Sequence, residues 1–164
     1  MQFRDKDYYR ASLDRIRQAQ ALSMEKDAYA LSMYCSGLAV ECLLRAFRWK
    51  TDKSFEGRHD LNDLLKASGI LRVNDEYMRR KGKGEEEILR ASLEFRAAVN
   101  EIVILWHNNL RFASEMRLKA HLTELNRVQG IKGAPLRKNA LDLIDAAQLI
   151  ISKGMVLWDS QRKS

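Results

Sequence analysis

Hydrophobic positions recur at helical intervals along most of the chain. In the segment 85–106, they return every three or four residues, at Ile88, Ser92, Phe95, Val99, Ile102 and Trp106. This spacing places one continuous stripe on a helix and is typical of a seam between packed helices. Nowhere does the sequence alternate between apolar and polar positions as a half-buried β-strand does.

The same periodicity predicts four long helices with shorter additions. Long helices are predicted over about 5–23, 26–49, 85–106 and 135–158, and shorter ones over about 59–68 and 114–128. Gly69 suits the C-terminal cap of the first short helix, and Pro135 suits the first position of the last long one. The charged, glycine-containing segment 74–84 predicts a mobile loop. The fold class is therefore all-α, an up-and-down helical bundle of four long helices and one or two short ones, in a single domain over 1–164.

The second predicted helix is apolar on two opposite sides, which places it in the middle of the bundle. Between these sides runs a narrow strip, made of Tyr34, Gly37, Glu41, Arg45 and Arg48. Glu41 and Arg45 are four residues apart with the acid first, the favourable order for a helical ion pair. The pair either neutralises itself or holds Arg45 toward a phosphate, which the planar guanidinium matches well. Gly37 predicts close approach of another helix, from this chain or from a second copy.

Composition limits the class of protein. The formal net charge of +7 is compatible with nucleic acid as a partner, or with solubility alone, because much of it lies in one loop and the tail. Cys35 and Cys42 lie about 10 Å apart on one predicted helix, too far for a disulfide. No Cys/His spacing predicts a metal site, and no cofactor is expected. The absence of a long uncharged apolar run and of an N-terminal signal core predicts a soluble, cytoplasmic protein without a membrane span.

Four groups of residues, taken in order, resemble a known family. Tyr8 and Tyr9 begin the first helix, and the motifs AVECLLRAF (39–47), GRHDLNDLL (57–65) and WHNNLRF (106–112) follow. Together they resemble the HEPN family, the higher eukaryote and prokaryote nucleotide-binding domain, over roughly residues 5–155. The resemblance implies a bacterial type of helical bundle that pairs as a homodimer. It also implies association with nucleotides, RNA, or a nucleotidyltransferase or antitoxin partner.

Many HEPN members are metal-independent ribonucleases that use an arginine followed by a histidine after four to six residues. This chain departs from that pattern, because only three residues separate Arg117 from His121, and His107 precedes Arg111. The leading hypothesis is therefore a non-catalytic module that binds nucleotide, RNA or a nucleotidyltransferase.

The predicted site of this module is a cleft. Its candidate ligand-binding residues are Glu41, Arg45, His59, Asn108 and Arg111. His59 has a second interpretation, since it or Asp60 suits the cap of the short helix.

Two alternatives remain open. One is a ribonuclease with a displaced pair, either Arg117 with His121 or His107 with Arg111. Such an enzyme needs a histidine within reach of a ribose hydroxyl and an arginine near the phosphate. The other alternative is a dimeric interaction protein whose polar strip is buried at the interface. Trp106 likewise has two interpretations, a base-stacking side chain or a core residue.

Overall fold

A computed structural model describes residues 3–51 and 60–162, and these form a helical bundle. The helices are α1 (Asp5–Ser23), α2 (Tyr29–Thr51), α3 (Leu61–Ser68), α4 (Ile70–Arg80), α5 (Glu85–Leu105), α6 (Glu115–Glu124) and α7 (Pro135–Arg162). A 3-10 helix, Asn108–Phe112, joins α5 to α6. The described residues contain no strand, and the predicted all-α class with four long helices is confirmed.

Helix α2 lies at the centre of the bundle, in contact with α1, α3, α6, α7 and the 3-10 helix. Its side chains Met33, Val40, Leu44 and Phe47 are at most 2% exposed. By length and composition α2 would also suit a membrane span, but 78% of that stretch is buried inside the bundle. The core helix of a folded bundle meets the same criteria, so this is weak evidence for a membrane.

The predicted stripe of α5 faces this core. Ile88, Phe95, Val99, Ile102 and Trp106 are all at most 8% exposed. The helix lies against α7, α4 and α3, so its apolar side closes the bundle opposite its charged side.

Local signals fix the helix ends. The side chain of Asp60 accepts hydrogen bonds from the backbone N–H groups of Asn62 and Asp63, which caps α3. Gly69 ends that helix with φ 65°, a left-handed conformation that costs a glycine little. Pro135 is the first residue of α7. The predictions for Asp60, Gly69 and Pro135 are confirmed.

The mobile loop predicted over 74–84 is wrong for most of its length. Residues up to Arg80 belong to α4, which adds a third short helix to the one or two predicted. Ile70, Val73 and Asn74 are buried, and Tyr77 packs against the core, so the charges of this segment lie on one outward face. The high density of charge concealed this amphipathic pattern, and only the glycine-containing end of the segment is a loop.

A side chain from elsewhere in the same chain packs directly against Gly37. A Cβ atom added to Gly37 would lie 2.2 Å from Cδ1 and Cγ of Trp106. The indole N–H of Trp106 donates to the backbone carbonyl of Tyr34 at 3.1 Å. Trp106 is therefore a core residue, and of the two origins predicted for the close approach, the intramolecular one is observed. This contact holds the end of α5 against α2 and so places the 3-10 helix that follows.

Candidate functional site

The segment between α5 and α6 carries the densest group of candidate side chains. His107 precedes the 3-10 helix, and its Nδ1 accepts a hydrogen bond from the backbone N–H of Asn109 at 3.1 Å. Because Nδ1 is the acceptor, a neutral His107 carries its proton on Nε2. The ring is exposed, and the cap fixes its orientation.

A cavity of about 220 Å³ lies between the 3-10 helix and α6, and we call it the histidine cavity. Its lining residues are His107, Asn109, Leu110, Ala113, Arg117 and His121. Ser114 caps α6 by accepting a hydrogen bond from the backbone N–H of Arg117 at 3.3 Å. The buried Leu118 and Leu122 anchor the other side of the helix in the core. Arg117 and His121 are thus presented one turn apart on a fixed helix.

His121 has an unusual environment within this cavity. Its Nε2 atom is buried and has no hydrogen-bond partner. A buried polar atom without a partner costs about 1–3 kcal/mol, so such an atom calls for an explanation in a folded protein. A polar ligand atom that reaches the ring inside the histidine cavity would supply one.

A second cavity, of about 270 Å³, lies on the other side of His107. It joins the start of α3 to the end of α5 and is lined by Asp60, Leu61, Asn62, Val103, Trp106, His107 and Asn108. Asn108, a predicted ligand-binding residue, faces this cavity. His59, which directly precedes Asp60, lies outside the described residues. His107 therefore separates two neighbouring cavities and lines both.

Arg111 lines neither of these two cavities. Its guanidinium carbon lies 4.6 Å from the centre of the Phe112 ring, and Phe112 is 77% exposed. The exposure of Phe112 was not predicted from the sequence. The sequence does carry a signal for this exposure. Phe112 lies in a helix break between two polar segments, where no helical face can bury it. Arg111 and Phe112 together form an exposed cationic and aromatic surface beside the histidine cavity.

The predicted ion pair in α2 is present. Arg45 Nε donates to Glu41 Oε1 at 2.8 Å, and their side chains are 16% and 3% exposed. Neither residue lines the two cavities of His107. Arg45 bonds Glu41 and Arg111 contacts Phe112. Because His59 lies outside the described residues, the cleft of Arg45, His59 and Arg111 stays a prediction. The candidate side chains that do share a cavity are His107, Arg117 and His121. They include one predicted ribonuclease pair, Arg117 with His121, and only the histidine of the other pair, His107 with Arg111.

The remaining residues of the polar strip have mixed environments. Tyr34 is half-buried and packs against the core, and Arg48 is half-buried near the end of α2. Trp106 covers Gly37, so Gly37 itself is buried within the chain.

No family model, curated protein or solved structure matches this chain. The likeness to HEPN domains therefore rests on the motifs quoted above. Within residues 3–51 and 60–162, no group of three His, Cys, Asp or Glu side chains is placed to hold a metal ion.

Proposed function

We propose that the chain binds a phosphate-bearing ligand, single-stranded RNA or a nucleotide, at the histidine cavity. The observation that carries this proposal is the convergence of His107, Arg117 and His121 on one cavity from two different elements. Arg117 and His121 are neighbours on α6, whereas His107 lies on the other side of a helix break and is brought to them by the fold.

The chemistry of the cavity suits a phosphate. The guanidinium of Arg117 offers two parallel N–H donors to phosphate oxygens, and an imidazole adds a further donor. Beside the cavity, the exposed ring of Phe112 provides a face on which a base stacks, with Arg111 adding a cationic plane. The net charge of +7 adds a general attraction for a polyanion.

Binding is tested with a labelled single-stranded RNA and with ATP in a salt series. We expect binding at low salt that weakens steeply as salt rises, because phosphate contacts release counterions. Arg117→Gln should weaken binding by about tenfold, the effect of losing one charge-assisted contact. Lys119→Gln is the matched control, since it removes an equal charge from an exposed position on the same helix.

Two outcomes would contradict the binding proposal. One is the absence of RNA and ATP binding by the wild type at low salt. The other is an equal loss in the Lys119→Gln variant, which would mean that net charge alone attracts the ligand.

A second candidate function is metal-independent cleavage of RNA, and the presence of two imidazoles on one cavity favours it. One imidazole would take the proton of a ribose 2′-hydroxyl, and the oxygen would attack the phosphorus as the bond to the 5′-oxygen breaks. The other, as imidazolium, would return a proton to the leaving oxygen, giving a cyclic phosphate. Arg117 would neutralise the charge that develops on the phosphate oxygens.

Cleavage is tested by incubating labelled RNA with the protein in EDTA. The comparison is between wild type, His107→Ala, His121→Ala and the control Lys119→Gln. Loss of an acid or base should slow cleavage by about 100-fold or more. His121→Gln, which keeps a polar side chain, checks that the loss does not come from unfolding. RNA that stays intact with the wild type would remove the enzyme and leave the binding module.

The predicted homodimer, the nucleotidyltransferase or antitoxin partner and the cytoplasmic location stay predictions. The single described chain does not test them.

A further inference from the structure

A separate cleft of about 510 Å³ opens between α4, α5 and α7, and we call it the α4 cleft. It shares no lining residue with the two cavities of His107. Its apolar wall consists of Tyr77, Met78, Ala91, Val156 and Leu157. The volume falls within the range of about 300–1,000 Å³ that is typical of small-molecule sites, which are mostly apolar with a few polar groups.

Three lysines, Lys81, Lys83 and Lys153, also line the α4 cleft. Lys83 pairs with Glu87 at 2.8 Å, and Lys153 pairs with Glu94 at 3.0 Å. Lys81 has no carboxylate within ion-pair distance in the described part of the chain. It is therefore the cation that is available to a ligand.

Asn74 is a buried polar residue in the lining of the same cleft. Its side chain is 94% buried, being 6% exposed, and it lines the same cleft. Its amide nitrogen makes only long contacts, 3.4 Å to Asp75 Oδ1 and 3.7 Å to Met78 Sδ. The bond to Asp75 is longer than the about 2.7–3.2 Å of a normal N–H···O bond, so the amide nitrogen of Asn74 is hydrogen-bonded, but weakly.

The amide of Asn74 and the ammonium of Lys81 lie on the same side of α4, with Tyr77 between them. Lys81 Nζ lies 5.8 Å from the centre of the Tyr77 ring. An acceptor beside Tyr77 would lie close to the Lys81 ammonium. A carboxylate supplies acceptor oxygens together with the opposite charge.

We propose that the α4 cleft binds a single anionic amphiphile, a molecule with a carboxylate head and an apolar body. The carboxylate accepts from Lys81. The apolar body covers Val156 on α7, which is otherwise 50% exposed. This proposal is independent of the proposed function at the histidine cavity.

The test compares ligands that share one apolar body and differ in the head. Binding of decanoate, decanol and decyltrimethylammonium is measured by displacement of the fluorescent probe anilinonaphthalene sulfonate and by calorimetry. Decanoate should bind about tenfold more tightly than decanol, since a charge-assisted contact is added, and the cation should bind most weakly.

Variants locate the site. Lys81→Gln should weaken decanoate by about tenfold and leave decanol unchanged. Val156→Glu should weaken both, because it puts a charge against the apolar body, and its exposed position allows the chain to fold. Lys119→Gln on α6 is the charge-matched control and should bind decanoate like the wild type. RNA binding by Lys81→Gln should stay at the wild-type level, which separates this site from the histidine cavity.

Three results would overturn the proposal. The first is no binding of decanoate, and the second is equal affinity for decanoate and decanol. The third is binding to anionic phosphatidylglycerol vesicles without uptake of free decanoate, which would make the lysines a membrane-contacting surface.

Discussion

Gly37 owes its importance to one side chain from a distant part of the sequence. A methyl group there would overlap the Trp106 ring at 2.2 Å, and the ring is held by its hydrogen bond to Tyr34. We expect Gly37→Ala to destabilise the fold by about 1–3 kcal/mol, as overpacking does. The steric overlap therefore outweighs the roughly 1 kcal/mol that alanine gains over glycine in helix propensity. Urea unfolding measures the change.

Ser152→Ala on the exposed side of α7 is the control for Gly37→Ala. It changes propensity without meeting a neighbour, so its unfolding free energy should stay within about 0.5 kcal/mol of the wild type. A stabilised Gly37→Ala variant would show that Trp106 moves freely, contrary to the packing described here.

Glu41 and Arg45 differ from the surface ion pairs in their burial. Glu41 is 3% exposed, whereas the pair Arg72 and Glu76, also four residues apart, is 71% and 53% exposed. A double-mutant cycle with Glu41→Gln and Arg45→Gln should give a coupling energy above about 1 kcal/mol, since water screens a buried pair less. The matched cycle for Arg72 and Glu76 should give about 0.5 kcal/mol or less. Equal couplings in the two cycles would contradict this.

Burial governs the two thiols as well. Cys35 and Cys42 are free. Burial, and then the Glu41 carboxylate, raise the pKa of the Cys42 thiol from 9.0 to about 11. The unfolded chain therefore loses this proton first, so the stabilisation is present below pH 9.0 and is lost as the pH rises to about 11.

The pH dependence of unfolding checks this prediction. The free energy of unfolding should fall over that alkaline range in the wild type, and it should fall less in Cys42→Ala. Parallel curves for the two proteins would show that the Cys42 thiol titrates normally in the folded state.

At the scale of elements, short helices depend on their ends. Helix α3 has eight residues, too few to be stable alone, and Asp60 satisfies two of its first N–H groups. Asp60→Ala should destabilise the fold by about 1 kcal/mol, and Asp60→Asn should restore most of it, because both native and amide side chains accept hydrogen bonds. Thermal unfolding of the wild type and the two variants measures this. If Asp60→Asn were as unstable as Asp60→Ala, the stabilisation would come from the negative charge of Asp60 and not from its hydrogen bonds.

Helices with a wide apolar face were recognisable from sequence, whereas α4 was not. In α4 the buried residues lie between charged ones, and this high density of charge is typical of a loop. Packing against α5 and α7 decides that the segment is a helix. The 3-10 helix could not be predicted either. The helix break at WHNNLRF was evident in the sequence, but the conformation of this segment depends on the packing of Trp106 against Gly37.

For the whole molecule, the central position of α2 predicts a gradient of stability. Helix α2 contacts helices on several sides, whereas the 3-10 helix is bounded by exposed residues such as Phe112. Amide hydrogen exchange from Met33 to Phe47 should therefore require global unfolding. The free energy of exchange should fall with urea as steeply as the free energy of global unfolding does. The amides of Asn108–Phe112 should exchange through local opening. Equally fast exchange in both segments would contradict the central role of α2.

The sequence by itself determined the four long helices and the short helices α3 and α6, most of their ends, the core face of α5, and the pairing of Glu41 with Arg45. These features depend on periodicity, capping and neighbours within about one helical turn, all of which are local. Only the tertiary structure decided which polar residues share a cavity. His107, Arg117 and His121 line one cavity, which neither Arg45 nor Arg111 lines. The packing of Trp106 on Gly37 helps to set the position of His107. Contacts between distant segments follow from the combined packing of the bundle, which no local pattern encodes.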